Sequence, residues 1–77
     1  MKVEILGPGC ANCQKLEDLV KEVIEDLDRK DIDLKKVEDP GEIASRGVLN
    51  SPALVVDEDV EVSGRVPSKE EISEILR

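Results

Sequence analysis

Residues 2–13 read KVEILGPGCANC, and this stretch decides the fold. Val3 and Ile5 are β-branched residues in a short alternating pattern, so a first strand is predicted over Lys2–Leu6. The glycines and proline of residues 7–9 stop that strand and predict a tight loop. Two cysteines, Cys10 and Cys13, then stand where the next element begins.

Downstream of the loop, apolar side chains recur at the spacing of a helix. They fall at i, i+3, i+4, i+7, i+8 and i+11 and are Leu16, Leu19, Val20, Val23, Ile24 and Leu27. Such a stripe predicts a helix from about residue 11 to 28, packed through one face, with both cysteines in its first turn. The charged residues between these positions, Glu17 among them, are expected to face solvent.

The middle of the chain predicts a second strand and a short helix. Residues 31–37 alternate polar and apolar side chains, which favours a strand. Asp39 is a candidate N-cap, Pro40 suits the first helical position, and an acid follows three residues after the cap. This helix is expected to run through Arg46 and to end at Gly47.

The last third predicts a hairpin and a final helix. Residues 53–56 and 60–62 are expected to form two strands joined by the acidic turn at residues 57–59. Ser68 and Glu71 have the spacing of a capping box, and the apolar residues at 72, 75 and 76 give the following helix a buried face. The resulting order is β-α-β-α-β-β-α, with a right-handed parallel crossover at its start. We therefore expect residues 1–77 to form one α/β domain with a four-stranded mixed sheet and three helices.

Composition excludes several classes of function. The chain has a net charge of −8 and no Phe, Trp or Tyr, which disfavours binding to nucleic acids or to anionic membranes. It has no histidine, so Ser-His-Asp and Cys-His catalysis and histidine-ligated metal sites are excluded. The longest apolar run, residues 53–56, is far too short to span a membrane, and no segment resembles a signal peptide. A cytoplasmic monomer is expected.

The Cys10–Cys13 pair predicts thiol–disulfide chemistry. A sulfur at the beginning of a helix faces unpaired backbone N–H groups and the positive end of the helix dipole, which lower the pKa of a thiol toward neutrality. Cys10, at the loop end, is expected to attack a substrate disulfide, and Cys13, one turn into the helix, to resolve the mixed disulfide. Glu4 or water is the candidate proton acceptor for Cys13.

Three other interpretations of the pair remain open. A purely structural disulfide is disfavoured because closing a loop of about four residues stabilises a protein by only roughly 2 kcal/mol. Two thiolates can hold a copper(I) ion, as in small metal-carrier domains of similar length. Those domains, however, end on a strand and carry a Met before the first cysteine. The third possibility is an interaction domain whose cysteines are incidental.

A proline before an apolar strand, Pro52 followed by Ala53-Leu54-Val55-Val56, adds a second signal. Combined with strand–GPGC–helix and with Gly64 before the last helix, it makes nearly the whole chain resemble the thioredoxin-like family. The similarity is to its small glutaredoxin-like members in particular. The resemblance implies a minimal thioredoxin fold, a cis Ser51–Pro52 peptide lying against the cysteines, and a Ser51 backbone that pairs with an extended substrate.

The same resemblance implies a substrate-binding surface and a source of electrons. Gly9, Ala11 and Gly64 would complete this surface beside Ser51 and Pro52. Disulfide-containing proteins would be the substrates, and a reductase of the thioredoxin-reductase type or a small thiol would supply electrons, without a bound cofactor or metal. The chain differs from larger relatives at Gly9, where thioredoxins carry Trp, and at residues 63–66, where glutaredoxins carry a glutathione-binding patch.

Overall fold

The computed structural model describes residues 1–48 and 50–77. Its elements follow the predicted order: β1 Lys2–Leu6, α1 Ala11–Asp26, β2 Asp33–Val37, α2 Pro40–Ser45, β3 Ala53–Val56, β4 Asp59–Ser63 and α3 Lys69–Leu76. The four strands form one mixed sheet in the order β2-β1-β3-β4. Strand β1 pairs parallel with β2 and antiparallel with β3, and β3 pairs antiparallel with β4. The predicted α/β architecture is confirmed.

The strands pack on both faces of the sheet because successive side chains point to opposite sides. Val3 and Ile5 of β1 face α1 and α3, whereas Leu6 faces α2. The larger buried cluster consists of Val3, Ile5, Leu16, Val20, Val23, Leu54, Val56, Val62, Ile72 and Leu76. The smaller cluster consists of Leu6, Val37, Ile43, Val48, Ala53 and Val55. The end of β1, where the cysteine loop begins, therefore lies between two packed layers.

Element ends differ from the prediction by one or two residues. Helix α1 ends at Asp26, with Leu27 as its C-cap, because Asp28 adopts a left-handed conformation with φ of 50°. Strand β2 begins at Asp33, two residues later than predicted, although the N-terminal amine still donates to the Asp31 carbonyl at 2.7 Å. Strand β4 is one residue longer at each end than predicted. Arg46 caps α2 rather than belonging to it.

The expectation that Glu17 faces solvent was wrong. Its side chain is buried on the side of α1 that faces β2, where Lys36 Nζ lies 3.4 Å and Lys21 Nζ lies 3.7 Å from its carboxylate oxygens. The two lysines supply the counter-charge that burial of a carboxylate requires. Among residues 1–48 and 50–77, every helix is too short or too polar to cross a lipid bilayer.

Candidate active site

The loop of residues 7–9 delivers Cys10 to the start of α1. Cys10 is the N-cap residue in an extended conformation, and its Sγ accepts a hydrogen bond from the Cys13 backbone N–H at 3.2 Å. An N-cap side chain normally satisfies a free N–H with an oxygen atom, and here a sulfur takes that place. Negative charge on this sulfur would be stabilised by the same N–H and by the positive end of the helix dipole.

The two cysteine residues differ sharply in their exposure to solvent. Cys10 is exposed, whereas Cys13 is only 1% exposed. They form a disulfide across a Cα–Cα distance of 5.0 Å. The arrangement therefore has one sulfur at the surface and one beneath it, as the spacing of the pair predicts.

Gly9 and Ala11 flank the exposed sulfur. Gly9 has a φ of +90°, a conformation that favours glycine, and a Cβ placed there would lie 3.6 Å from Glu38 Oε2. Ala11 is the exposed first residue of α1. Both residues therefore present small, open surfaces beside Cys10.

The Ser51–Pro52 peptide is cis, as the resemblance implied. Pro52 is fully buried and Ser51 is exposed, immediately before β3. A Cβ built on Gly7 would lie 3.8 Å from the Ser51 Cβ and would collide with the sulfur of Cys13. Ser51 and Cys13 thus lie on the same side of Gly7, and the fold brings these two distant segments together.

Gly64, which follows β4, contacts the cis-proline segment. Its backbone N–H donates a hydrogen bond to the Pro52 carbonyl at 2.9 Å, and its φ is +79°. A Cβ at Gly64 would lie 3.2 Å from the Asn50 Cβ. Gly64 and the cis-proline segment are therefore packed directly against each other.

An apolar groove of about 300 Å³ lies beside these segments. The groove is lined by residues of the cysteine loop, of α2, of the segment that follows α2 and of the cis-proline segment. They are Pro8, Pro40, Ile43, Ala44, Val48 and Ser51. Sequence reasoning missed this groove. Pro40 and Ala44 on α2 are exposed, but the sequence does not show that they lie next to Pro8. Only the folded structure places these residues on one surface.

Glu4 is a buried carboxylate held by Arg46. It is 1% exposed, and the guanidinium donates to its two oxygens at 2.7 and 2.8 Å. This hydrogen bonding holds the pKa of Glu4 below its usual value, despite the opposing effect of burial. A carboxylate that is stabilised in this way is a weak base, so the geometry disfavours Glu4 as the proton acceptor for Cys13.

The described residues, 1–48 and 50–77, contain no group of three or more His, Cys, Asp or Glu side chains arranged to hold a metal ion. The two cysteines are joined to each other instead. Because both sulfurs are engaged in this disulfide, the structure gives no support to a copper(I) carrier.

Comparison with known proteins identifies the same kind of protein by family model and by individual relatives. A family model described as a thioredoxin domain matches residues 1–77. A thioredoxin from Methanothermobacter thermautotrophicus is 42% identical over 76 residues, which cover 99% of this chain and 97% of that protein. A thioredoxin from Methanocaldococcus jannaschii is 36% identical over 75 residues, covering 97% of this chain and 85% of the relative.

Proposed function

Since the chain belongs to the thioredoxin family and is a thiol–disulfide oxidoreductase, we propose that Cys10 is its nucleophile and Cys13 its resolving thiol. The observation that carries this assignment is the difference in exposure between the two cysteine residues. A substrate disulfide can reach Cys10 at the surface, whereas Cys13, at 1% exposure, can reach only its neighbour.

The proposed reaction proceeds in two exchanges. The Cys10 thiolate attacks one sulfur of the substrate disulfide, the substrate S–S bond breaks, and one substrate thiolate leaves. The Cys13 thiolate then attacks the Cys10 sulfur, the mixed disulfide breaks, and the second substrate thiolate leaves. The substrate gains two electrons, the Cys10–Cys13 pair loses two, and the leaving thiolates take protons from water.

Water is the proposed proton acceptor for Cys13. The chain has no histidine, and both oxygens of Glu4 already accept hydrogen bonds from Arg46. The pKa of Glu4 is lowered by those bonds, so its carboxylate holds a proton poorly near neutrality.

We propose that Gly9, Ala11, Ser51, Pro52 and Gly64 form the substrate-binding surface around Cys10. Three observations support this surface. The residues beside Cys10 are small and exposed, Ser51 lies beside Gly7, and Gly64 is hydrogen-bonded to Pro52. The apolar groove bounded by Pro8 and Ser51 would take an apolar side chain next to the substrate cysteine.

Disulfide substrates and a reductase are the partners that membership of the family suggests. In finer terms, we propose disulfide-containing proteins as substrates, and a reductase of the thioredoxin-reductase type or a small thiol as electron donor. We further propose that residues 1–77 act as one monomeric domain in the cytoplasm.

A disulfide-reduction assay with two serine variants tests the assigned roles. Cys10→Ser should lose activity and form no mixed disulfide with a protein substrate. Cys13→Ser should also lose turnover, yet it should accumulate a mixed disulfide through Cys10 that is visible by non-reducing electrophoresis. A mixed disulfide that forms through Cys13 in the Cys10→Ser variant would reverse the assignment.

A further inference from the structure

We infer that Gly7 is a positioning residue for the resolving step, because its missing side chain leaves the space in which the sulfur of Cys13 lies. This inference rests on the roles proposed above for Cys10 and Cys13. It adds a third position, outside the cysteine pair, that determines how fast the mixed disulfide is released.

The contact at Gly7 is specific to one side chain. A Cβ on Gly7 would collide with Cys13 Sγ and would lie 3.1 Å from Cys13 Cβ. Its third neighbour, the Ser51 Cβ at 3.8 Å, is at an ordinary van der Waals distance. A methyl group at position 7 would therefore clash only with Cys13.

The backbone of Gly7 is fixed, so it cannot yield easily. Its N–H donates to the Val37 carbonyl at 2.9 Å, which continues the pairing of β1 with β2 beyond Leu6. Gly7 is also buried and, unlike Gly9, does not adopt a left-handed conformation. An alanine at position 7 is therefore acceptable to the backbone, and the strain it introduces falls on the Cys13 side chain.

Displacing that sulfur should affect one chemical step and spare the other. Separating the two groups to a normal contact requires a shift of roughly 1 Å, and a misplacement of about 1 Å in a reacting group can slow a reaction on the order of a hundredfold. The attack by Cys10 does not involve the Cys13 sulfur. Gly7→Ala should therefore slow the release of the mixed disulfide while leaving its formation unchanged.

The two steps can be separated with a symmetrical aromatic disulfide whose released thiolate absorbs visible light. Reduced protein in excess is mixed rapidly with this probe. The attack by Cys10 releases one thiolate in a phase whose rate rises with protein concentration, and the attack by Cys13 releases the second in a concentration-independent phase. In Gly7→Ala we expect the second phase to slow by about tenfold or more, with the first phase unchanged.

Matched controls separate this effect from a general loss of stability. Gly41→Ala makes the same substitution in α2, where the nearest atom to the new Cβ is Asp39 Oδ1 at 3.4 Å. Ile72→Val removes one methylene from α3, within the larger buried cluster. Both variants should release the two thiolates at wild-type rates.

The outcomes distinguish this inference from the proposed function. Two wild-type-like phases in Gly7→Ala would overturn the role of Gly7 and leave the roles of the cysteines standing. If the wild-type protein releases only one thiolate, or none, the proposed roles fail and the inference fails with them.

A double substitution keeps the inference testable even if Gly7→Ala folds poorly. Thermal unfolding under reducing conditions is compared for the wild type, Gly7→Ala, Cys13→Ala and the double variant. Because Cys13→Ala removes the sulfur that blocks the space, Gly7→Ala should lower the melting temperature much less in that background. An equal loss in both backgrounds would show that the sulfur is not what Gly7 accommodates.

Discussion

Substituting alanine for Gly64 perturbs the contact between β4 and the cis-proline segment, and Gly47→Ala provides a matched control. The two glycines have nearly identical φ angles, +79° at Gly64 and +78° at Gly47. Their surroundings differ. A Cβ at Gly64 would lie 3.2 Å from the Asn50 Cβ, whereas a Cβ at Gly47 would meet nothing within 4 Å.

The expected loss of stability has two parts. Holding alanine in the left-handed region costs about 1–2 kcal/mol, and this part is common to both variants. Only Gly64→Ala must also move Asn50 by a few tenths of an ångström, for which we expect roughly 0.5–1 kcal/mol, below the usual range for overpacking a core. Since 1 kcal/mol lowers the melting temperature of a domain this size by roughly 4–8 °C, Gly64→Ala should melt about 2–8 °C below Gly47→Ala.

The functional consequence should be confined to Gly64. Moving Asn50 disturbs the segment that carries Ser51, and the Gly64 N–H bonded to the Pro52 carbonyl shifts with it. In steady-state reduction of a disulfide-linked protein, Gly64→Ala should raise KM, while Gly47→Ala keeps the wild-type value. Equal melting temperatures and equal KM values for the two variants would refute both the contact and the place of Gly64 in the substrate surface.

Three further predictions concern stability. The pKa of Glu4 is lowered in the folded state by hydrogen bonds from Arg46. The ionised carboxylate therefore contributes to the stability of the fold at pH values above its ordinary pKa of 4.5, and this contribution is lost as the pH falls toward the folded-state pKa. Glu4→Gln should therefore weaken the dependence of the urea midpoint on pH below pH 4.5. An unchanged dependence would contradict the stabilising role of the Glu4–Arg46 interaction. Ser68 accepts a hydrogen bond from the Glu71 N–H at 3.2 Å, so Ser68→Ala should lower the free energy of unfolding by about 1 kcal/mol in urea titrations. Leu54 is 0% exposed in the larger cluster. Leu54→Ala should lower the free energy of unfolding by about 2–5 kcal/mol, measured in the same way.

The element order and the cysteine pair could be predicted because both are local signals. The spacing of apolar residues predicts α1, and the capping residues Asp39 and Ser68 mark where α2 and α3 begin. Burial of polar groups could not be predicted in this way, because it depends on distant partners. Glu4 and Arg46 are 42 residues apart in the chain, and no periodicity indicates that α2 ends against the middle of β1.

The site residues show the same division between local and distant information. The positions of Cys10 and Cys13 at the beginning of a helix follow from their spacing and from the loop before them. Gly7 gave no signal beyond ending a strand, although it lies against the sulfur of Cys13. That contact exists only because the first turn of α1 folds back over the end of β1, which is a property of the β-α connection and not of any single residue.

The composition of the chain explains why backbone groups contribute so much to the surroundings of the two cysteines. With no aromatic residue and no histidine, neither an aromatic ring nor an imidazole is available to shield or activate the cysteines. Cys13 is instead covered by the close approach of Gly7, and the sulfur of Cys10 accepts a hydrogen bond from the Cys13 N–H at the beginning of α1. Glu4 is held by Arg46 and is a weak base, which leaves water as the proposed proton acceptor. Under these conditions the reactivity of the pair depends chiefly on where the backbone places each sulfur, which is why a glycine that touches one of them can govern a single step of the reaction.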